Sequence, residues 1–290
     1  MEYHKDRFQD YSLMVYQKSK LIALFPANRE SDKLYSHQGL TYGGLVYKTF
    51  LKSSDAIFIW KAILKFLNEN NITCLYIKEL PYVYLKNMTN NPMPYILFKL
   101  KAQNKRMDMH SVVDIKQYKL SNSRKEGLKR GEKAGLEVSE SASFDSFWNS
   151  ILIPNLREKH GVKPVHTLDE INLLKSKFPK QIRQFNVFDG DDIIAGTTIF
   201  EMDNIVHCQY ISGVGNTNAS GSLDFLHVNL ITKKFQNKRF FSFGTSNINE
   251  GQNVNAGLQF WKEGFGARSI TQGFHEVSTE NYKLLDDVML

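Results

Sequence analysis

Residues 205–235, IVHCQYISGVGNTNASGSLDFLHVNLITKKF, constrain this chain more than any other stretch. The first eight residues read as a strand, and residues 222–235 read as an amphipathic helix. Between them lies a loop of small and polar residues, 213–221, with Val214 its only larger apolar side chain. The first backbone N–H groups of a helix have no internal partner, and their dipoles favour negative charge. Glycine lets a ligand approach the backbone closely. Gly213, Val214, Gly215, Ser220, Gly221 and Ser222 are therefore candidates for an anion site.

The 290 residues, 42% hydrophobic, suffice for a large core and favour two domains over one. A net charge of +7 suits anionic partners, among them nucleotides, RNA and anionic lipid, and says nothing of the fold. Cys74 and Cys208 stand far apart inside apolar runs, so neither a disulfide framework nor a zinc site is supported. No run of about 20 apolar residues is present for a spanning helix, and the first sixteen residues lack an apolar run of signal length. A cytoplasmic setting is the expectation.

Strand pairs at 13–16 and 21–25 read as a hairpin. An extended run at 34–47 is broken by Gly39 and Gly43-Gly44. Ser53-Ser54-Asp55 is expected to cap a helix over 56–67, with strands following at 73–77, 95–100 and 110–115. Residues 121–134 form a basic patch, expected to be helical despite Gly127 and Gly131. Apolar residues from Phe144 to Leu156 keep helical spacing up to Gly161, and Thr167 opens another helix in capping-box form. His160 and His166 read as structural, at a helix end and beside a cap. A meander at 185–188, 193–201 and 205–212 precedes the focal helix, then a strand at 240–243, a polar loop at 245–255, a helix at 256–263 and a strand near 269–275. The order of elements repeats while the residues do not, which predicts two related α/β domains in tandem. The expected divisions are 1–120, connecting helices at 121–180, and 181–290.

The residues of SHQGLTYGG (36–44), SRKEGLKRGEKAGLEV (123–138), KPVHTLDEI (163–171), HCQYIS (207–212), GSLDFL (221–226), FGTSN (243–247) and WKEGFGAR (261–268) span most of the chain. Together they resemble the GNAT superfamily, and in their doubling its Fem-type branch. The resemblance extends to bacterial acyltransferases of polysaccharide biosynthesis that acylate nucleotide-linked amino sugars. It implies an α/β (α+β) fold of two GNAT-like domains in tandem, each a mixed, mostly antiparallel sheet flanked by helices. It also implies acyl-CoA as donor, its diphosphate on the 213–222 loop, and Ile211, Ser212 and Asn247 as further cofactor contacts. The small-molecule partners would be acyl-CoA and the amino sugar, without DNA or membrane insertion, and a homodimer is left open. Residues 215–221 depart from the usual phosphate loop, and Ser242 stands where similar chains often carry an acidic residue.

For the chemistry, His207 on the focal strand is a candidate base, or else a buried core histidine. Asp224 in the first helical turn would face the acceptor and hold its amine. His37 is a second candidate base, and with Gln38 and Tyr42 it would wrap the sugar or nucleotide. Tyr210 is a candidate donor to the leaving thiolate. Arg124 and Arg130 would meet a nucleotide diphosphate, or else belong to a solvated face. Asn255 and Lys262 complete the expected substrate contacts. Two other functions stay open: Fem-type aminoacyl transfer from tRNA to a cell-wall precursor, and binding of RNA or a membrane surface through residues 124–133 with steep salt dependence.

Overall fold

The computed structural model describes residues 5–47 and 50–289. The chain divides into two compact units. One holds Met1–Asp108, Asn249–Gln252 and Thr271–Leu290; the other holds Met109–Ile248 and Asn253–Ile270. Sequence patterning places the C-terminal residues with the second domain, 181–290. They fall in the first unit because the last strand pairs with residues 74–78 there.

In chain order the first elements are β1 (Gln9–Asp10), β2 (Leu13–Gln17), β3 (Lys20–Phe25), β4 (Asn28–Glu30), β5 (Lys33–Tyr35), β6 (Val46–Tyr47), α1 (Ser53–Glu69), β7 (Cys74–Lys78) and α2 (Met93–Lys99). Next come β8 (Gln103–Asp114), α3 (Asn122–Lys133), β9 (Glu137–Ser141), α4 (Asp145–Phe147), α5 (Ile153–His160), α6 (Leu168–Lys177), β10 (Ile182–Asp189), β11 (Asp192–Glu201) and β12 (Ile205–Gly213). The last are α7 (Thr217–Ser220), α8 (Ser222–Asn229), β13 (Phe240–Thr245), β14 (Asn247–Ile248), β15 (Asn253–Val254), α9 (Ala256–Glu263) and β16 (Arg268–Ser278).

In the first unit β1, β4, β5, β7 and β16 follow one another in a sheet, with β5 parallel to β7 and the other pairs antiparallel. A separate sheet joins β2, β3 and β6. The stripe Ile57, Trp60, Ile63, Leu64 and Leu67 of α1 packs with Leu34, Leu75 and Val277 in one core. The helix begins at Ser53 itself, and no side chain caps it, contrary to the expected cap. Residues 95–100 are helix, not strand. Pro at the start of α2 presets the helical φ, and Ile96, Leu97 and Leu100 share its buried face.

In the second unit the order is β8, β13, β12, β11, β10, β9. β12 and β13 run parallel; their other neighbours are antiparallel. Ser121 caps α3 as an N-cap, and Thr167 with Glu170 completes the capping box of α6. Gly161 ends α5 in the left-handed region. Helix α8 continues into a π-turn at residues 230–234, where Leu230 and Ile231 join Val206, Phe241 and Phe243 in the core. The predicted loop at 245–255 contains the β14–β15 hairpin. No helix among the described residues is long and apolar enough to cross a membrane.

Candidate functional site

The parallel ladder between β12 and β13 is short. It joins Ile205 to Phe240, Val206 to Phe241 and His207 to Ser242, and stops. Beyond that point β12 runs six residues further, to Gly213, paired to β11 alone. Alternate backbone groups of such a stretch point away from β11, and no strand among the described residues pairs with them, though at its end the Gly213 carbonyl accepts from Asn155.

Two devices hold the edge open. First, β13 bulges: Phe243 and Gly244 stand between Ser242 and Thr245, which pair with Val112 and His110 of β8. Gly244 takes φ +68°, where a side chain is strained. The Lys262 ammonium fixes the bulge by donating to the carbonyls of Gly244 (3.2 Å) and Thr245 (2.7 Å). Second, β12 bulges at Gln209, since Ile199 pairs with Cys208 and Thr198 with Tyr210. The Gln209 Oε1 is buried with no hydrogen-bond partner among the described residues. A buried unpaired oxygen costs stability and invites a ligand donor.

His207 sits where the ladder ends, with Nδ1 3.4 Å from Ser242 Oγ. Burial lowers its pKa to about 3, and His110 and Lys262 nearby push the same way. It is neutral at physiological pH, and its burial matches the alternative of a core histidine. Lys262 is likewise buried, which lowers its pKa to about 8. Its bonds go to strand carbonyls, so it is a brace of β13 where a substrate contact was expected.

The loop after β12 departs most from expectation. The amides of Val214 and of residues 218–222 are spent inside the protein. Val214 N–H donates to Ile194 O. Asn216 accepts from Asn218 and Ala219 through its side chain, and from Ser220 through its carbonyl. Gly221 N–H donates to Thr217 O and Ser222 N–H to Ser220 Oγ. An Asn side chain and a single helical turn have taken several of the groups an anion would use. Ser212 Oγ and Gly213 O accept from Asn155, while Gly215 is exposed at the turn. Ile211 lies on the open part of β12.

Asp224 faces α3, not solvent. Its Oδ1 accepts from Arg124 Nη1 (2.6 Å) and Trp261 Nε1 (3.3 Å). Burial raises its pKa against the downward pull of Arg124. The pair is closed in by glycines: a Cβ on Gly127 would lie 1.7 Å from Asp224 Oδ2, and one on Gly221 2.1 Å from Gly127 O. Asp224 and Arg124 thus hold two helices together, and neither is open to an amine or a diphosphate. Arg130 remains exposed beside the loop, with Nη2 donating to Asn218 O. Tyr210 bonds through its hydroxyl to the His166 amide (3.1 Å) and ring Nδ1 (2.7 Å), and burial raises its pKa. It anchors the segment before α6 and is no ready acid. Asn247 accepts from Met109 N–H and Thr245 Oγ1, and Asn255 caps α9. The side chain of His160 lies outside the described residues.

The first unit holds a cavity of about 320 Å³ lined by Tyr35, His37, Gln38, Tyr76, Lys78 and Phe274 among others. His37 takes φ +56° and its Nδ1 lies 2.5 Å from Gln38 O; burial lowers its pKa. Gln38 exchanges two hydrogen bonds with Asn28. Lys78 donates to Leu40 O, and burial lowers its pKa to about 8. Tyr35 and Tyr76 stack 4.8 Å apart. Tyr42 does not line this cavity; its ring lies 4.7 Å from that of Tyr84. His37 and Gln38, expected substrate contacts, line this cavity beside Tyr76, Lys78 and Phe274, which come from strands distant in sequence.

The architecture is α/β, with the GNAT-like fold present in tandem. No protein-family model matches the chain, and no curated protein matches it. Among solved structures, FemX superposes with a TM-score of 0.67 at 9% identity, covering 98% of this chain and 92% of its own. L-PGS from Bacillus licheniformis gives 0.63 at 11% identity, over 96% and 86%. A tandem GNAT protein from the clavulanic acid biosynthesis pathway, solved without AcCoA, gives 0.53 at 10%, over 92% and 82%. At these identities the likeness is one of fold.

Proposed function

We propose that this protein is an acyltransferase that moves an acyl group from acyl-CoA to a primary amine, with a nucleotide-linked amino sugar as acceptor. The observation that carries the reading is the open edge of β12 between His207 and Gly213. An extended pantetheine arm, itself built of amides, completes such an edge as a further strand would. The Gln209 oxygen supplies an acceptor for one of its N–H groups. A backbone N–H near residues 210–213 would meet the thioester carbonyl and bond more strongly as the tetrahedral oxyanion forms. The neutral amine attacks directly, and the thiolate of CoA leaves. Exposed Arg130, which donates to Asn218 O in the loop, is a cation available to the diphosphate end.

A second reading is aminoacyl transfer from charged tRNA. The internal bonding of the Val214 and 218–222 amides favours it, because an aminoacyl ester needs no diphosphate cradle. Calorimetric titration with acetyl-CoA, CoA and aminoacyl-tRNA separates the two, followed by a thiol-release assay over a panel of nucleotide-linked amino sugars. Saturable CoA binding and thiol release support the first reading; tRNA binding with indifference to CoA replaces it with the second. Gln209→Met is expected to weaken donor binding about tenfold, one hydrogen bond's worth, while leaving the melting temperature unchanged or higher.

A further inference from the structure

The sheet of β2, β3 and β6 has one face in the core. Leu13, Val15, Ile22, Ala23, Phe25 and Tyr47 all pack there. An antiparallel sheet with one face buried ordinarily turns polar residues outward. This one does not. Met14 pairs with Leu24, and Leu24 with Val46, making an apolar row straight across three strands. Beyond the bulge Tyr16 pairs with Leu21 on the same outward side. These five are 64%, 39%, 54%, 53% and 40% exposed in that order. Phe50, three residues after β6, is 70% exposed.

Charge singles out the occupant. From Tyr11 to Arg29 there are three cations, Lys18, Lys20 and Arg29, and no carboxylate. Lys18 and Lys20 sit at the hairpin tip, both exposed. A second copy seated here by a twofold axis would find no carboxylate in the segment for those lysines. Five side chains are also far fewer than the roughly 20–30 residues a side of a stable protein interface. An apolar face with a basic tip and a tyrosine matches what the boundary of an anionic bilayer accepts. There the apolar row enters the acyl edge and the lysines reach the phosphates.

We infer that the β2–β3 hairpin docks this protein reversibly on anionic membrane surfaces. The inference goes beyond the acyltransferase reading and does not rest on it. Co-sedimentation with phosphatidylglycerol-containing vesicles and with pure phosphatidylcholine vesicles tests it. Binding to the first, weakened by salt and at least tenfold stronger than to the second, is expected. Met14→Ser with Leu24→Ser should lower that binding about tenfold with unchanged circular dichroism, and Lys18→Gln with Lys20→Gln should remove most of the preference for anionic lipid. The hairpin assignment is overturned if wild type stays in the supernatant with every vesicle. It is also overturned if Lys125→Gln, Lys129→Gln and Lys133→Gln on α3 abolish binding while the hairpin variants retain it. A concentration-dependent dimer that the Met14 and Leu24 changes dissolve, without vesicle binding, would assign the face to a second copy.

Discussion

Asp224 shows how far a residue's partner decides its role. Placed in the first turn of a helix, it reads as a carboxylate free to meet an amine. In the structure its oxygen meets Arg124, a hundred residues away in the chain, and both are buried. Removing one partner of such a pair leaves an uncompensated charge, at a cost of about 3–5 kcal/mol. Arg124→Ala is therefore expected to lower stability by about that amount in urea unfolding. Asp224→Asn should act on stability more than on turnover, and a loss of turnover at unchanged stability would restore Asp224 to the site. His227 offers a second reading at this scale. It lies among the rings of Phe241, Phe243, Trp261 and Phe265, and burial lowers its pKa from 6.5 to about 4. As pH falls below 6.5 the unfolded chain takes a proton that the folded chain refuses. Stability is thus lost across pH 6.5 to 4, by roughly 3 kcal/mol from this group. His227→Phe should flatten the acid limb in that window, as measured by urea midpoints against pH.

Among the elements, those with local signals were legible. The hairpin of β2 and β3, the stripe of α1, the capping box of α6 and the end of α5 at Gly161 follow from spacing and turn chemistry within a few residues. Residues 95–100 misled because a short apolar run fits strand and helix alike, and the flanking prolines decide it. The loop before α8 misled for a different reason. Composition shows that amides are present, not that Asn216 and a helical turn will consume them. Nor does α3 announce in sequence that Gly127 and Gly131 are the places where α8 touches it. Gly127→Ala should gain about 1 kcal/mol of helix propensity. It also drives a Cβ into a carboxylate locked by Arg124, and overpacking of about 1–3 kcal/mol or more outweighs that gain. Gly257→Ala in α9, where the nearest atom is 3.7 Å away, should instead stabilise by about 0.5–1 kcal/mol. Opposite shifts in melting temperature for these two variants would confirm the contrast; like shifts would refute it.

On the scale of the whole molecule, the tandem α/β class was legible from the repeated order of elements. The closure of the first unit by the end of the chain was not, because strand pairing across 200 residues leaves no local mark. Val277 and Leu285 complete its core, Thr279 Oγ1 donates to Ile72 O, and Asn281 Nδ2 donates to Leu100 O. A fragment of residues 1–120 lacks all of these, and thermal melts followed by circular dichroism should show no cooperative transition. The same fragment joined to residues 268–290 by a flexible linker should regain one. A cooperative melt of 1–120 alone would show the closing segment to be dispensable. During synthesis this segment leaves the ribosome only after the entire second unit has been made. The N-terminal unit must then wait for its last strand with an unfinished core, its apolar side chains open to solvent meanwhile.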